Sequence, residues 1–391
     1  MTVATLFRFD PYAPGIDADP FPAYRVLRDE HPCFWSEEAG MWVLSRYDDI
    51  LQALTNWRLY SSAKGNLIDE LPNRAGATLG TTDPPRHDRL RALIQKAVTR
   101  SALGHLVEPF RDICRSHLAP LREAARLDFV GDYASKVTVD LLFHLFALPP
   151  ADRTAVRDRA VLMVQTDAAT RRKAPEHIAA FEWMADYAER LVQERKRAPG
   201  EDLLSSFITA EIDGEKLLDR EVQLTVTTLI MAGIESLSGF LGMLGVNLAD
   251  FPEARQALAR DHALIPDAIE ESLRFNTSAQ RFKRCLTTDI ALHGQQMKAG
   301  DFVMLAYGSA NRDDRKFPDP DRYDIARKPR GHLGFGGGVH ACLGSMIARM
   351  ACGVALEEFL DRFPAFERIE QQLPWVPSSN FRSPTRLLLA V

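Results

Sequence analysis

Apolar residues recur at helical spacing from residue 86 to about residue 274, and the same period returns after Cys342, at Met346, Ile347, Met350, Ala351 and Val354. Ahead of that block the pattern is mixed. Asp19-Pro20-Phe21-Pro22 leads into a short helix over residues 23–28, and then residues 33–35 and 41–44 flank a turn and read as a hairpin. Asp48 is placed to cap the next helix, residues 50–54. Residues 61–82, with Gly65, Pro72, Gly76 and Gly80, are irregular, whereas residues 281–306 return to short strand-like runs such as 290–293 and 302–305. The chain closes on a further apolar run, residues 387–391. The pattern predicts a mainly α fold with small β-sheets at its edge.

One stretch has the length of a membrane span. Between residues 224 and 249 the only charged side chain is Glu235. An acid near the middle of a lipid-facing helix costs roughly 2.5–3.5 kcal/mol, and Thr225, Thr227, Thr228, Ser236, Ser238 and Asn247 add polarity. A long helix buried across the centre of a large domain accounts for this pattern better than a span. The rest of the composition agrees: 46% hydrophobic and 26% charged residues over 391 positions, with no linker, repeat or low-complexity run, predict a single domain over residues 1–391 and no membrane partner. A net charge of −5 argues against nucleic acid as a partner. Five irregularly spaced cysteines favour a reducing compartment, and residues 1–8 lack the apolar core of a signal peptide, so the expected location is cytoplasmic.

The densest chemistry lies in Phe335-Gly336-Gly337-Gly338-Val339-His340-Ala341-Cys342-Leu343-Gly344. Three glycines allow a loop to fold tightly against something large and flat. The cysteine that follows precedes a helical pattern, where free amides and the helix dipole favour a thiolate. A lone thiolate held this way suits the axial position of a haem iron. A dinucleotide fingerprint, Gly336-x-Gly338-x-x-Ala341, would have to follow a buried strand, and residues 328–332 are not one. Structural zinc would need paired cysteines. An inert buried cysteine leaves the glycines unexplained, although it describes Cys352 well.

The segment resembles the haem-binding signature of the cytochrome P-450 monooxygenases, matched at Phe335, Gly336, Gly338, His340, Cys342 and Gly344, and the resemblance extends to Asp83-Pro84-Pro85-Arg86-His87, Ala310-Asn311-Arg312-Asp313 and residues 317–324. It implies the fold of that family, with haem b lying between a long central helix and the cysteine loop. Cys342 is then the iron ligand, and His87, Arg91, Arg284 and His340 are the propionate ligands, His87 and Arg91 being four apart on one helix face. Ala232-Gly233-Ile234-Glu235-Ser236 matches the family's oxygen-activation motif, with Ser236 where threonine is usual and Glu235 where aspartate is common. Glu271 and Arg274 match its glutamate-x-x-arginine pair, a structural element completed by Arg322 or Arg327. By family position, substrate would meet residues 64–80 and 181–183, Ala232, Ser278, Ala279, Asn380 and Phe381.

The expected activity is insertion of one oxygen atom from O2 into a small, mostly apolar organic substrate, aromatic ones included. The electrons would come from a separate ferredoxin or flavodoxin and its NAD(P)H reductase, because no iron–sulfur or flavin module is present in the sequence. Arg86, Arg89, Lys96 and Arg100 are the candidate docking patch for an acidic donor. The protein would act as a monomer. The alternatives are a peroxygenase driven by hydrogen peroxide and a non-catalytic haem-based sensor or binding protein.

Overall fold

The computed structural model describes residues 7–98, 104–167, 169–170 and 172–391. Its axis is one 32-residue helix, Asp219–Asp250, longer at both ends than the apolar run that announces it. Glu221 Oε2 accepts from the Leu218 amide at 3.0 Å and satisfies a first-turn donor. The helix ends ahead of Pro252, which disfavours helical angles at the residue before it, and Phe251 is accordingly at φ −122° and ψ 76°. Among the described residues this is the one helix long and apolar enough to cross a membrane, and 72% of its most apolar stretch is buried inside the fold. Helices Ser135–Leu145, Arg153–Val164 and Pro175–Arg197 pack along it and share the main hydrophobic core with it. The apolar run is a core helix.

The mixed regions at either end of the chain meet in one five-stranded sheet, ordered Cys33–Ser36, Met41–Leu44, Phe302–Ala306, Arg281–Leu286, Tyr60–Ser61. The first two strands form the expected antiparallel hairpin, with Cys33 opposite Leu44. Phe302–Ala306 runs parallel to Met41–Leu44 and antiparallel to Arg281–Leu286, setting Arg284 opposite Val303. A smaller sheet ties the C-terminal strand Leu388–Ala390 between Arg126–Asp128 and Glu367–Arg368.

Two local expectations change. Asp48 is not a cap: the helix begins at Tyr47, and the Tyr47 amide donates to Asp313 Oδ2 at 2.8 Å. The cap thus comes from a residue far away in sequence, which local capping rules do not reach. The helical block from residue 86 to 274 is also interrupted, by the strand Arg126–Asp128 and by the hairpin Glu211–Ile212 with Glu215–Lys216.

Glu271 and Arg274 are both fully buried. Arg274 donates from Nε and Nη2 to the two Glu271 oxygens at 2.8 and 2.7 Å. It also donates to the carbonyls of Asn311, Pro320 and Arg322. Of the two candidates for the third member, Arg327 takes the role, its Nε 3.3 Å from Glu271 Oε1. Arg322 offers only its carbonyl and turns its side chain to solvent beside Asp324. A charge pair buried this completely is tolerated only with every remaining donor matched, and here the partners lock the 311–327 segment onto helix Ile265–Phe275.

Candidate active site

The glycine-rich loop owes its path to backbone angles. Gly336 and Gly338 sit at φ 66° and 62°, in the region L side chains disfavour. At Gly338 the constraint is double, because a Cβ there would collide with the Leu54 carbonyl. The Cys342 amide donates to the Phe335 carbonyl at 2.9 Å and closes the loop. The following helix begins only at Ser345, so Cys342 stands just before it rather than on its first turn. Cys342 is exposed to a cavity, yet the protein atoms crowded around its sulfur push the thiol above its ordinary range, opposed by the Gly344 amide and the charges of Arg91 and Arg349.

Cys342 is open to solvent through a cavity of about 370 Å³. The cavity wall contains His87, Arg91, Ala232, Ser236, Ser278, Ala279, Arg284, Phe335, His340, Gly344 and Phe381. Residues dispersed over 295 positions of the chain are thus gathered around one space. Of the 64–80 segment, Asn66, Leu67, Arg74, Leu79 and Gly80 reach it.

His87 and His340 meet edge to face, with ring centroids 4.6 Å apart. Among the described residues, His87 Nε2 and both ring nitrogens of His340 are buried without a hydrogen-bond partner. Asp83 Oδ1 lies 3.9 Å from His340 Nε2, too far for a hydrogen bond. Burial, with Arg284 and His87 alongside, holds His340 below its ordinary pKa in spite of Asp83. Arg91 does something the spacing did not reveal: it donates to the carbonyls of Val339 and Ala341 at 3.1 and 2.8 Å, clamping the loop.

The Ser236 hydroxyl forms no hydrogen bond to another protein group among the described residues, so it does not fold back on the Ala232 carbonyl and is free to act toward the cavity it lines. Thr227, by contrast, does bond back, to the Gln223 carbonyl at 2.8 Å. Gly233 also lines the cavity, and a Cβ on it would come within 2.9 Å of Leu142 Cδ1. Its small size therefore serves the approach of helix Ser135–Leu145 as well as the opening. Glu235 is buried and is not in the cavity wall. No described residue donates to it, and burial alone raises its carboxyl from its ordinary 4.5 to about 7.

The rest of the expected wall divides. Phe181 is buried in the core away from the cavity, and Trp183 carries the Arg159 guanidinium 4.1 Å from its ring. Asn380 supports the wall from behind, donating to the Arg281 carbonyl at 2.7 Å. The sequence reading missed Leu141, Leu142, Leu145 and Phe146, which form much of the apolar side. The first three lie on the broad buried face of helix Ser135–Leu145, opposite Lys136, Asp140 and His144, and periodicity does not separate a face against a core from a face against a cavity.

The candidate docking patch is largely committed to internal pairs. Arg89 bonds Glu215 and Glu221, Arg86 lies 3.6 Å from Glu221, and Lys96 donates to the Glu211 carbonyl. Arg100 lies outside the described residues. A second hollow of about 310 Å³ reaches Cys342 from another side, past Arg330, His332 and Arg349.

A family model described as cytochrome P450 matches residues 159–378. The chain is 34% identical to the putative cytochrome P450 123 of Mycobacterium tuberculosis, over 98% of this chain and 96% of the relative. It is 36% identical to the nocardicin C N-oxygenase of Nocardia uniformis, over 96% and 97%. Among solved structures it superposes on cytochrome P450 CYP109Q5 from Chondromyces apiculatus with a TM-score of 0.89 and 30% identity, covering 98% of each chain.

Proposed function

This chain belongs to the cytochrome P450 family and is a haem-dependent monooxygenase, and we propose that it oxidises a small, mostly apolar organic molecule in the cytoplasm, as a single-domain monomer supplied with electrons by separate proteins. The cofactor of this reading is haem b. The residues present fit such a group, which would need a soft donor for its iron, N–H donors for its two propionates and apolar walls. Cys342 supplies the first. Arg284 and the orphaned nitrogens of His87 and His340 supply the second, with Arg91 holding the loop that carries His340 and Cys342. The observation that carries the proposal is this convergence of unpartnered buried donors and one accessible cysteine on one apolar space.

When bound, haem supplies the activation of O2 by two electrons and the transfer of one oxygen atom to substrate, the other leaving as water. The chain's own groups have narrower tasks. The leucine and phenylalanine walls exclude water and orient an apolar body. Ser236 Oγ both donates and accepts, so it holds a proton at the cavity. Glu235, raised by burial to about 7, can both hold and release a proton near neutrality and would reload that hydroxyl by a swing of its side chain or through water.

Replacing Cys342 with serine tests the reading. Haem-loaded wild type gives a thiolate-type spectrum in its reduced carbon monoxide complex, and Cys342→Ser loses it. An unchanged spectrum in the variant refutes the assignment. Product formation with donor proteins and reduced nicotinamide, compared with hydrogen peroxide alone, separates the monooxygenase from a peroxygenase.

A further inference from the structure

Arg74 stands at the cavity wall in the irregular 66–81 segment. Its side chain is 4% exposed, and an arginine buried that far needs most of its five N–H donors matched. Only Nη1 is: it donates to Asn66 Oδ1 at 2.9 Å and Glu70 Oε1 at 2.6 Å. Among the described residues, Nε is buried with no partner and nothing accepts from Nη2. These two atoms form one edge of the guanidinium, the parallel pair of N–H bonds that fits a carboxylate in two-point fashion.

Glu70 cannot turn to fill that edge. Its oxygens already accept from the amides of Asn66, Leu67 and Leu71. The surroundings are short of negative charge. Asp69 pairs with Arg172 at 2.9 Å through one oxygen while the other is buried without a hydrogen bond among the described residues, so two carboxylates, Asp69 and Glu70, face four cations, Arg74, Lys173, Lys283 and Arg172. Burial lowers both lysines, Lys173 to about 8, with Arg74 adding to the effect. Both lysines have their ammonium groups tied to backbone carbonyls, Lys173 to Met163 and Gln165 and Lys283 to Ile68. Lys173 and Lys283 keep one and two N–H donors unmatched among the described residues, but neither lines the cavity, so Arg74 is the member of this cationic group with spare donors at the wall. Asn66, also in the wall, keeps its Nδ2 unbonded among the described residues.

Resting on the reading of this cavity as a monooxygenase pocket, we propose that Arg74 sets its specificity: the substrate is an apolar monocarboxylic acid whose carboxylate docks on Nε and Nη2 of Arg74 beside Asn66. The carboxylate is the recognised end. The apolar remainder lies along the leucine and phenylalanine walls and presents carbon to the part of the cavity shared by Ser236 and Cys342.

The test is equilibrium binding by calorimetry to the haem-loaded protein, with decanoate and 4-butylbenzoate each compared with its primary amide at constant ionic strength. Wild type should prefer each acid by about tenfold or more, the worth of a two-point charged hydrogen bond. Arg74→Gln should bring the ratio to within about threefold. Arg74→Lys, which keeps the charge and loses the fork, should fall between. If wild type binds amides as tightly as acids, or Arg74→Gln keeps the preference, the proposal is wrong. The wild-type ratio needs no variant, so an Arg74→Gln chain that fails to fold does not protect the idea. Failure of the haem reading is seen separately, as a missing thiolate-type carbon monoxide band, while calorimetry still reads the acid-to-amide ratio.

Discussion

Glu235 offers a measurement of how a buried carboxyl in the central helix loads the stability of the whole chain. It sits 6% exposed without a donor, and burial alone raises it from 4.5 to about 7. Below its unfolded value the group is protonated in both states and costs nothing through ionisation. Between the two values the native state holds a proton that the unfolded chain has released, so stability falls as pH rises. Above about 7 the penalty is complete, and a shift of this size corresponds to about 3 kcal/mol. Glu235→Gln removes the titration and keeps the shape. The stability difference between variant and wild type should therefore move in favour of the variant by about 2 kcal/mol between pH of about 5.5 and about 8.5. Denaturant unfolding of both proteins at several pH values reads it, and taking the difference cancels every other titrating group. A difference that is flat with pH, or that moves in favour of wild type as pH rises, refutes the burial argument. It would also remove the near-neutral carboxyl from the proton path.

Ser236→Ala should retain haem and substrate but divert reducing equivalents to peroxide, lowering product formed per reduced nicotinamide by about tenfold or more; an unchanged ratio would make the hydroxyl structural. Arg274→Met should destabilise by about 3–5 kcal/mol, since Glu271 loses its main counter-charge and three carbonyls lose their donor. A shift in denaturant midpoint equivalent to less than about 1 kcal/mol would contradict the network described above. Gly338→Ala meets both a positive φ and the Leu54 carbonyl, and should cost at least about 2 kcal/mol and weaken haem retention, read by haem transfer to an acceptor protein.

Those four substitutions differ in how far the sequence alone exposes them. Gly338 and Arg274 lie in short patterns whose physical requirement is local: a loop angle and a helix spacing. The central helix was equally legible, because an unbroken apolar run with one acid has few alternatives. The strands of the main sheet were legible singly, but their order was not. The sheet joins residues 33–61 to residues 281–306, and a pairing across more than two hundred residues leaves no trace in a sliding window. Asp313 capping the helix at Tyr47 is the same lesson in one hydrogen bond.

Charged groups around the cavity separate along the same line. Spacing placed His87 and Arg91 on one face, and the structure divides their work: His87 keeps an orphaned nitrogen while Arg91 holds two loop carbonyls. Nothing in a four-residue interval distinguishes a guanidinium that meets a ligand from one that clamps a backbone, because the difference lies in where residues 339 and 341 return. Arg74 shows the converse. Its bonded partners, Asn66 and Glu70, are near in sequence, and from them alone it looks like a self-contained turn. What gives it a further role is the edge left over once those bonds are made, together with a cavity whose walls come from remote parts of the chain. A residue's local bonds can be guessed from its neighbours. Its unused donors are known only after the fold has decided what stands opposite them, and recognition depends on those donors.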